Sequence, residues 1–267
     1  MTGTNLNGAA VPLITRLARF GFAIKGIVTI LIGALSLRFA LGWGGDITGP
    51  QGAIEALFDE PFGRINLAVL AIGLASYSLW MLVEAFMDPE QKGTGFQGLA
   101  ERTAFFVTAV GFGLLTWATV KLLLGAGGGG GADLDDLAAT LLTPRVGRWL
   151  VGTIGVIVMI AGLLQLRLGI TRGFRHILRR NLSSVERAAV VTSGTIGYVA
   201  LGVLSLLVGY SLVEVAVRYD PSRAGGWDEA LTLLADLGEG RRLLGIVAAG
   251  LIFYGFYFVF LMRYRTL

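Results

Sequence analysis

The stretch that decides the fold is residues 188–213, AAVVTSGTIGYVALGVLSLLVGYSLV, in which no side chain is charged. As an α-helix this stretch is about 39 Å long, which exceeds the ~30 Å hydrocarbon core of a bilayer. Five further apolar segments are long enough to span a membrane, because about 20 helical residues suffice. The sequence therefore predicts an all-α polytopic membrane protein with six transmembrane helices. The other five segments lie near residues 20–41, 64–86, 104–125, 147–169 and 243–262.

The composition of the chain agrees with a membrane protein and excludes several kinds of chemistry. Of the 267 residues, 54% are apolar and 15% are charged, whereas a soluble domain carries about 25% charged residues. The chain has no cysteine and its one histidine is His176, which excludes disulfides, thiolate metal sites and a Ser-His-Asp triad. The apolar segments hold no paired acids and no nucleophile beside a base. We therefore expect no enzymatic activity, no metal and no cofactor.

The distribution of basic residues predicts which way the helices cross the membrane. The side that carries both termini holds 13 of the 22 Lys and Arg residues against five acidic residues, a net charge of +8. The other side holds nine basic and thirteen acidic residues, a net charge of −4. Basic residues accumulate on the cytoplasmic side, so we expect both termini in the cytoplasm. This asymmetry accounts for the overall charge of +4 without nucleic-acid binding.

Two short motifs recur three times along the chain and predict internal repeats. Each odd-numbered transmembrane helix begins near an arginine that follows Ala or Glu, and each even-numbered helix begins with a Gly-Arg pair. The predicted repeats are residues 15–87, 98–170 and 184–265, within a single membrane domain of residues 1–267. Two spans per repeat give every copy the same orientation, so the repeats are parallel and related by a pseudo-threefold axis along the membrane normal. The motif residues are Arg19, Arg102 and Arg187, and Gly63, Arg64, Gly147, Arg148, Gly240 and Arg241.

A short amphipathic stretch lies between the two helices of each repeat. These stretches cover residues 53–60, 133–142 and 228–237, where apolar residues recur at helical spacing with acidic residues between them. Such a pattern favours a helix that lies in the membrane interface with its acidic face toward water. The sequence thus predicts three helical hairpins, each closed by an interfacial helix on the outer side.

The first repeat resembles a known bacterial family. The segment RFGFAIKG at residues 19–26 is followed by Gly-Ala at 52–53, by PFGR at 61–64, by Gly-Leu at 73–74 and then by Tyr77 and Trp80. This pattern is similar to the bacterial family of domains of unknown function that is numbered 1206, and the resemblance extends over essentially the whole chain. It implies tandem two-helix membrane repeats and a bacterial inner membrane. It implies no activity, substrate or catalytic residue.

Small residues spaced by seven predict where the helices pack closely. Helices in lipid associate largely through close packing at small residues, because lipid tails are as apolar as the helices themselves. The spacing predicts tightly packed seams, with glycines that line a pathway or a ligand as the alternative. The glycines concerned are Gly26, Gly33, Gly155, Gly162, Gly202 and Gly209.

Four polar residues are the candidate functional groups. Lys25 lies about five residues from the cytoplasmic end of the first segment, roughly 7.5 Å deep, so its side chain can extend to the interface. Alignment on the motif arginines places Thr108 and Ser193 at the equivalent positions of the other repeats. Glu84 lies at the same predicted level and is the expected counter-ion of Lys25, because charges within a membrane are usually paired.

Two functions fit these features, and we expect the first, because the Thr and Ser residues of the odd-numbered helices indicate polarity only in their cytoplasmic halves. The first is a membrane-embedded scaffold or accessory subunit that binds a partner membrane protein or a lipid and performs no catalysis. The second is a transporter or channel for a small solute along the pseudo-threefold axis. The aromatic residues of the last helix also suit a lipid or another hydrophobic ligand. A polar axis would favour transport, and an apolar axis sealed by glycines would favour the scaffold.

Overall fold

The computed structural model describes residues 10–44, 47, 49–58, 61–89, 93, 95–125, 146–178, 182–218, 227–236 and 238–264. The described residues form eight α-helices and one 3-10 helix. The helices are α1 (Ala10–Ala40), α2 (Pro50–Phe58), α3 (Gly63–Met87), α4 (Phe96–Leu123), α5 (Val146–Thr171), α6 (Ser184–Arg218), α7 (Trp227–Ala235) and α8 (Gly240–Tyr264), and the 3-10 helix is Gly173–Ile177.

Six of these helices are long and apolar enough to cross a membrane, which confirms the predicted all-α polytopic fold. They form three hairpins: α1 with α3, α4 with α5, and α6 with α8. The short helices α2 and α7 lie at one end of the bundle, which we call the capped end. The opposite end, where α1 begins and α8 ends, is the termini end.

The six long helices pack in the order α4, α3, α1, α8, α6, α5. The closest packing joins different hairpins: α8 against α1, α5 against α6, and α3 against α4. Contacts within a hairpin are less extensive, and between the described residues of α4 and α5 they are weakest. The bundle is therefore an incomplete ring of helices whose second hairpin is splayed.

The predicted glycine seams lie between hairpins. On α1, a Cβ added to Gly26 would lie 2.7 Å from the carbonyl oxygen of Gly255 on α8. A Cβ on Gly33 would lie equally close to the carbonyl oxygen of Ala248. Such distances exclude any side chain, so glycine is what allows the two backbones to meet. Between α5 and α6 the same contacts join Gly155 with Gly209 and Gly162 with Gly202.

The third seam, between α3 and α4, has no facing glycines. At the corresponding place, the hydroxyl of Ser78 donates a 2.7 Å hydrogen bond to the carbonyl oxygen of Ala109. In this seam a side-chain hydrogen bond to the backbone thus occupies the position at which the other two seams have two facing glycines. The three seams are equivalent positions of one repeated interface.

The packing corrects the register of the third repeat. Gly202 and Gly209 occupy the places on α6 that Gly26 and Gly33 occupy on α1, an offset of 176 residues. By this offset the equivalent of Arg19 is residue 195, and Arg187 is not in register with the other two motif arginines. The alignment on the arginines was wrong because it followed a local helix-start pattern, whereas the glycines report where the helices meet.

The Gly-Arg motif has a structural role at the capped end. Any Cβ on Gly63 would overlap the carbonyl oxygen of Phe58, where α2 ends, and Gly240 stands in the same relation to Ala235 at the end of α7. The guanidinium of Arg241 donates to the carbonyl oxygen of Phe39, in the last turn of α1, at 3.3 Å. Arg64 is exposed, and Gly147 lies in the first turn of α5. The side chain of Arg148 lies outside the described part of the chain.

At the termini end, Arg102 caps α3. Its Nε donates to the carbonyl oxygen of Ala85 at 2.7 Å, and its Nη2 donates to that of Phe86 at 3.1 Å. These carbonyl groups belong to the last turn of α3, which has no further helical partners, so a cation there is favourable. Arg19 is partly buried on α1. Of the motif arginines, Arg102 and Arg241 therefore bind the ends of neighbouring helices.

Two of the three predicted amphipathic helices are present as α2 and α7. Their apolar faces are buried against the bundle: Ala53 and Ile54 on α2, and Ala230, Leu231 and Leu234 on α7. The apolar faces thus pack on protein, whereas Glu55 is exposed. The second predicted stretch, residues 133–142, lies outside the described residues.

Candidate functional site

A cavity of about 400 Å³ lies among the three hairpins. It is lined by residues of all six spanning helices except α3, together with the first residues of α2 and α7. Its walls are mainly apolar, and polar side chains project from five elements. The polar lining residues are Lys25, Thr29, Gln51, Thr108, Gln165 and Ser205.

The cavity lies on the pseudo-threefold axis, because equivalent positions of the three hairpins line it. One such set is Lys25 on α1, Thr108 on α4 and Leu201 on α6. The set one helical turn further on is Thr29, Phe112 and Ser205, and it also lines the cavity. Residues four apart share one face of a helix, so each odd-numbered transmembrane helix turns the same face to the axis.

Lys25 extends into a cluster of aromatic side chains. Its Nζ donates a 2.7 Å hydrogen bond to the hydroxyl oxygen of Tyr77 on α3. A cation over an aromatic face is stabilised by about 2 kcal/mol where water is excluded. The Lys25 Nζ lies 4.2 Å from the ring centroid of Phe258, 4.6 Å from that of Tyr77, 5.4 Å from that of Phe112 and 6.0 Å from that of Tyr254.

Lys25 lies more than two helical turns inside the apolar span of α1. The apolar span of α1 begins at Arg16, nine residues before Lys25 and about 13 Å away along the helix. Tyr77, which accepts the bond from Lys25, lies ten residues from the end of α3 at Met87, about 15 Å along that helix. The side chain is therefore directed into the bundle and does not extend to the interface.

An aromatic layer lies around Lys25, and two of its members, Phe112 and Tyr254, also line the cavity. We define this layer as Phe22, Tyr77, Phe112, Tyr254 and Phe258. Tyr77 meets Phe112 edge to face with ring centroids 4.6 Å apart, and Tyr254 meets Phe258 in the same way at 4.9 Å. Such pairs contribute about 0.5–1.5 kcal/mol each beyond their buried area. Lys25 thus lies where the cavity meets this layer.

Most of the polar side chains in the cavity make hydrogen bonds. Ser205 on α6 donates to the carboxamide oxygen of Gln165 on α5 at 3.0 Å. Thr29 and Thr108 donate to the carbonyl oxygens four residues before them, at 2.9 and 2.8 Å. The carboxamide NH₂ groups of Gln51 and Gln165 and the ammonium of Lys25 can donate to a solute.

The cavity carries a positive charge without an acidic residue. Among the described residues that line it, Lys25 is the only one of the Lys, Arg, Asp and Glu types. Helix α2 begins at the cavity with Pro50 and Gln51 and has no acidic residue in its first turn. The start of a helix carries a partial positive charge that favours anions. The ammonium of Lys25 and the N-terminus of α2 therefore both contribute positive charge at this site.

The structure brings together two of the four candidate polar residues. Lys25 and Thr108 both line the axial cavity. Ser193 is buried on α6 but lines a groove beside Phe253, outside the cavity, and the equivalent of Lys25 is Leu201. Glu84 is buried on α3, two helical turns beyond Tyr77. Its pairing with Lys25 stays a prediction.

Sequence reasoning missed Thr29, Gln165 and Ser205. Thr29 could have been identified from the sequence, because it lies one turn from Lys25 on the same face of α1. Ser205 is its equivalent at the offset of 176 residues, so the correct register would have found it. Gln165 comes from an even-numbered helix, and no spacing pattern indicated that it faces the axis.

The fold and its cavity define a polytopic membrane protein built from tandem helical hairpins around a small axial chamber. The chain belongs to the family described as Domain of Unknown Function (DUF1206), whose model matches residues 20–88, 103–172 and 196–265. The third match begins 176 residues after the first, which is the offset that the glycine contacts give. The predicted membership is confirmed.

One relative is the uncharacterised protein YxxB of Bacillus subtilis (strain 168). It is 30% identical to this chain over 247 residues, which are 92% of the chain and 89% of the relative. No solved structure matches the chain. The similarity extends over all three hairpins.

Proposed function

We propose that this protein binds a small, mostly apolar anion in the axial cavity and moves it across a bacterial inner membrane. The observation that carries the proposal is Lys25, a cation within the bundle at the edge of a cavity whose described lining residues include no acid. A charge at this depth is costly and is usually kept for a function. The apolar walls suit the remainder of such a solute, since small-molecule sites combine apolar lining with a few polar groups.

The position of the cavity supports transport over a scaffold role. The glycines that could have sealed the axis lie in the seams between hairpins, and the axis itself is hollow and partly polar. In transporters built from repeats, the substrate site lies near the middle of the bilayer where the repeats meet. An accessory role that binds a partner protein stays a prediction, and no contact among the described residues favours it.

The charge distribution gives this proposal a direction. The termini end carries the basic excess, so we place it in the cytoplasm. The cavity then reaches outward to the N-termini of α2 and α7, and Phe22 and Phe258 of the aromatic layer lie on its cytoplasmic side. Transport requires that this layer open, for example by movement of Phe258 and Tyr254 away from Lys25.

The test compares carboxylates with their amides. Purified protein is titrated with monocarboxylates from acetate to decanoate and with the matching primary amides, and binding is followed by calorimetry and by uptake into proteoliposomes. A hydrogen bond to a charged group contributes about 1.5–3 kcal/mol, which corresponds to about 10- to 150-fold in affinity. We expect one chain length to bind with this preference for the carboxylate.

The variant Lys25→Met should abolish the preference while leaving the fold intact. The matched control is Lys121→Met, because Lys121 lies in the last turn of α4 and outside the cavity lining. This variant should keep the preference for the carboxylate. Equal binding of every carboxylate and its amide by the native protein would contradict the proposal. An unchanged preference in Lys25→Met would contradict the role of this residue.

A further inference from the structure

A basic pocket lies at the termini end of the third hairpin, separate from the axial cavity. Its volume is about 460 Å³, and it lies between the 3-10 helix that follows α5 and the first turns of α6. Three arginines line it together with three hydroxyl side chains. They are Arg172, Arg175 and Arg187, and Ser184, Thr192 and Thr195.

The backbone that carries two of these arginines is held in place. Arg172 has φ 55°, a left-handed conformation that ends α5 and turns the chain back toward α6. Phe174, which is buried, fixes the turn by stacking on Tyr198 at 5.3 Å between centroids and by meeting Tyr257 edge to face at 5.2 Å. Arg172 and Arg175 flank this anchor. Their common location is therefore built into the fold.

No acidic residue lies among the described residues that line the pocket. The nearest acid in sequence, Glu186, accepts a 2.7 Å hydrogen bond from the Tyr264 hydroxyl and a 3.0 Å bond from the backbone N–H of Ser183. Its carboxylate is therefore engaged by the end of α8 and by the cap of α6. Helix α6 begins at Ser184 beside the pocket, with Glu186 in its first turn.

A second observation indicates what kind of anion fits. The pocket continues into an apolar groove between α6 and α8, and the two share Ser184, Ala188 and Thr192. Half-exposed phenyl rings form the far wall of this groove, among them Phe253 at 39% and Phe256 at 45% exposure. A basic pocket that leads directly into an apolar groove matches a molecule with a charged head and a long apolar tail.

We infer that this pocket and groove bind an anionic phospholipid. The three arginines bind the phosphodiester, and an acyl chain lies along the groove beside Phe253 and Phe256. Basic pockets between transmembrane helices on the cytoplasmic side are suited to such head groups. Arginine adds a planar set of donors that matches phosphate oxygens. This site is independent of the solute proposed for the axial cavity.

The test measures which lipid stays with the protein. Native protein is reconstituted into phosphatidylcholine containing a minor share of phosphatidylglycerol, extracted in mild detergent and weighed by native mass spectrometry. We expect phosphatidylglycerol to be retained over phosphatidylcholine by at least about tenfold relative to the bulk mixture, because each arginine near the surface favours anionic lipid. Equal retention of the two lipids would overturn the inference.

Variants separate the head-group contacts from the chain contacts. Replacing the three arginines by glutamine should abolish the preference, and the single change Arg175→Gln should reduce it without disturbing the helices. The matched control, Arg241→Gln with Arg242→Gln, removes two arginines from the capped end and should keep the preference. A preference that persists in the triple variant would place the lipid elsewhere and refute the site.

A free phosphate ion is the other source of the same chemistry. Ala189→Trp fills the groove and leaves the arginines in place, so it should lower retention of phosphatidylglycerol. Excess inorganic phosphate should not displace the lipid from native protein. If phosphate displaced it and Ala189→Trp changed nothing, the pocket would bind a free ion and the lipid assignment would be wrong.

Discussion

The first and third hairpins differ from the second at a position where the two helices of a hairpin pack together. In the first hairpin, Gly73 on α3 lies so close to Ile24 on α1 that a Cβ would overlap its side chain, and Gly250 on α8 meets Ala200 in the same way. At the matching place on α5 the second hairpin has Ile157, which is 58% exposed. Its helices α4 and α5 pack against each other least.

This difference shows how one glycine decides whether two helices meet. Helices in a membrane approach closely only where small residues face each other. With the larger Ile157 at this position, α4 and α5 pack instead against their other neighbours, α3 and α6. The splayed hairpin leaves space at the axis, and α4 contributes more lining residues to the cavity than any other helix.

The largest expected effect comes from giving the first hairpin the residue of the second. Gly73→Ile places a branched side chain against the Cβ and Cγ atoms of Ile24, which cannot move far because both backbones are fixed by packing. Overpacking of this kind costs about 3 kcal/mol. Thermal unfolding in detergent should show a large loss of stability, with α1 and α3 separating.

The reverse change is its control. Ile157→Gly removes a side chain that is more than half exposed, so its cost should be close to the ~1 kcal/mol that glycine costs within a helix. If Ile157→Gly destabilised the protein as much as Gly73→Ile, the splayed hairpin would not be the loosely packed region.

The transmembrane helices could be predicted from the sequence because burial in lipid demands long uncharged runs, as in residues 188–213. The seams were also predictable, since close approach at Gly26 or Gly162 requires a missing side chain. The register of the third repeat was not, because Arg187 matches Arg19 only in its local helix-start pattern. Which polar residues share the axis depends on the rotation of each helix, and that rotation follows from the seams.

The next prediction concerns the two equivalent tyrosines, Tyr77 in the first hairpin and Tyr254 in the third. Tyr77 accepts the hydrogen bond of Lys25. In the third hairpin the residue equivalent to Lys25 is Leu201, which is apolar. Tyr77→Phe should destabilise the protein by about 1.5 kcal/mol, because a hydrogen bond to a charged group is lost. The loss should vanish when Lys25→Met is already present, which a double-mutant cycle measures.

Tyr254→Phe is the matched variant for that cycle. Tyr254 is the equivalent of Tyr77 in the third hairpin, but its ring centroid is 6.0 Å from the Lys25 Nζ. Its coupling to Lys25→Met should therefore be smaller than that of Tyr77. Coupling of equal size for both tyrosines would mean that the hydroxyl of Tyr77 has no special role.

Single cysteine substitutions, which have the smallest expected effect, test the register of the third repeat. The chain has no cysteine, so the single variants Thr108→Cys, Leu201→Cys and Ser193→Cys each carry one thiol. Thr108 and Leu201 line the axial cavity and Ser193 does not. A carboxylate bound at ten times its Kd fills about nine-tenths of the sites, so labelling at residues 108 and 201 should slow about tenfold. Labelling at residue 193 should not change. Protection at residue 193 with none at 201 would restore the alignment on the arginines and remove the axial site from the third hairpin.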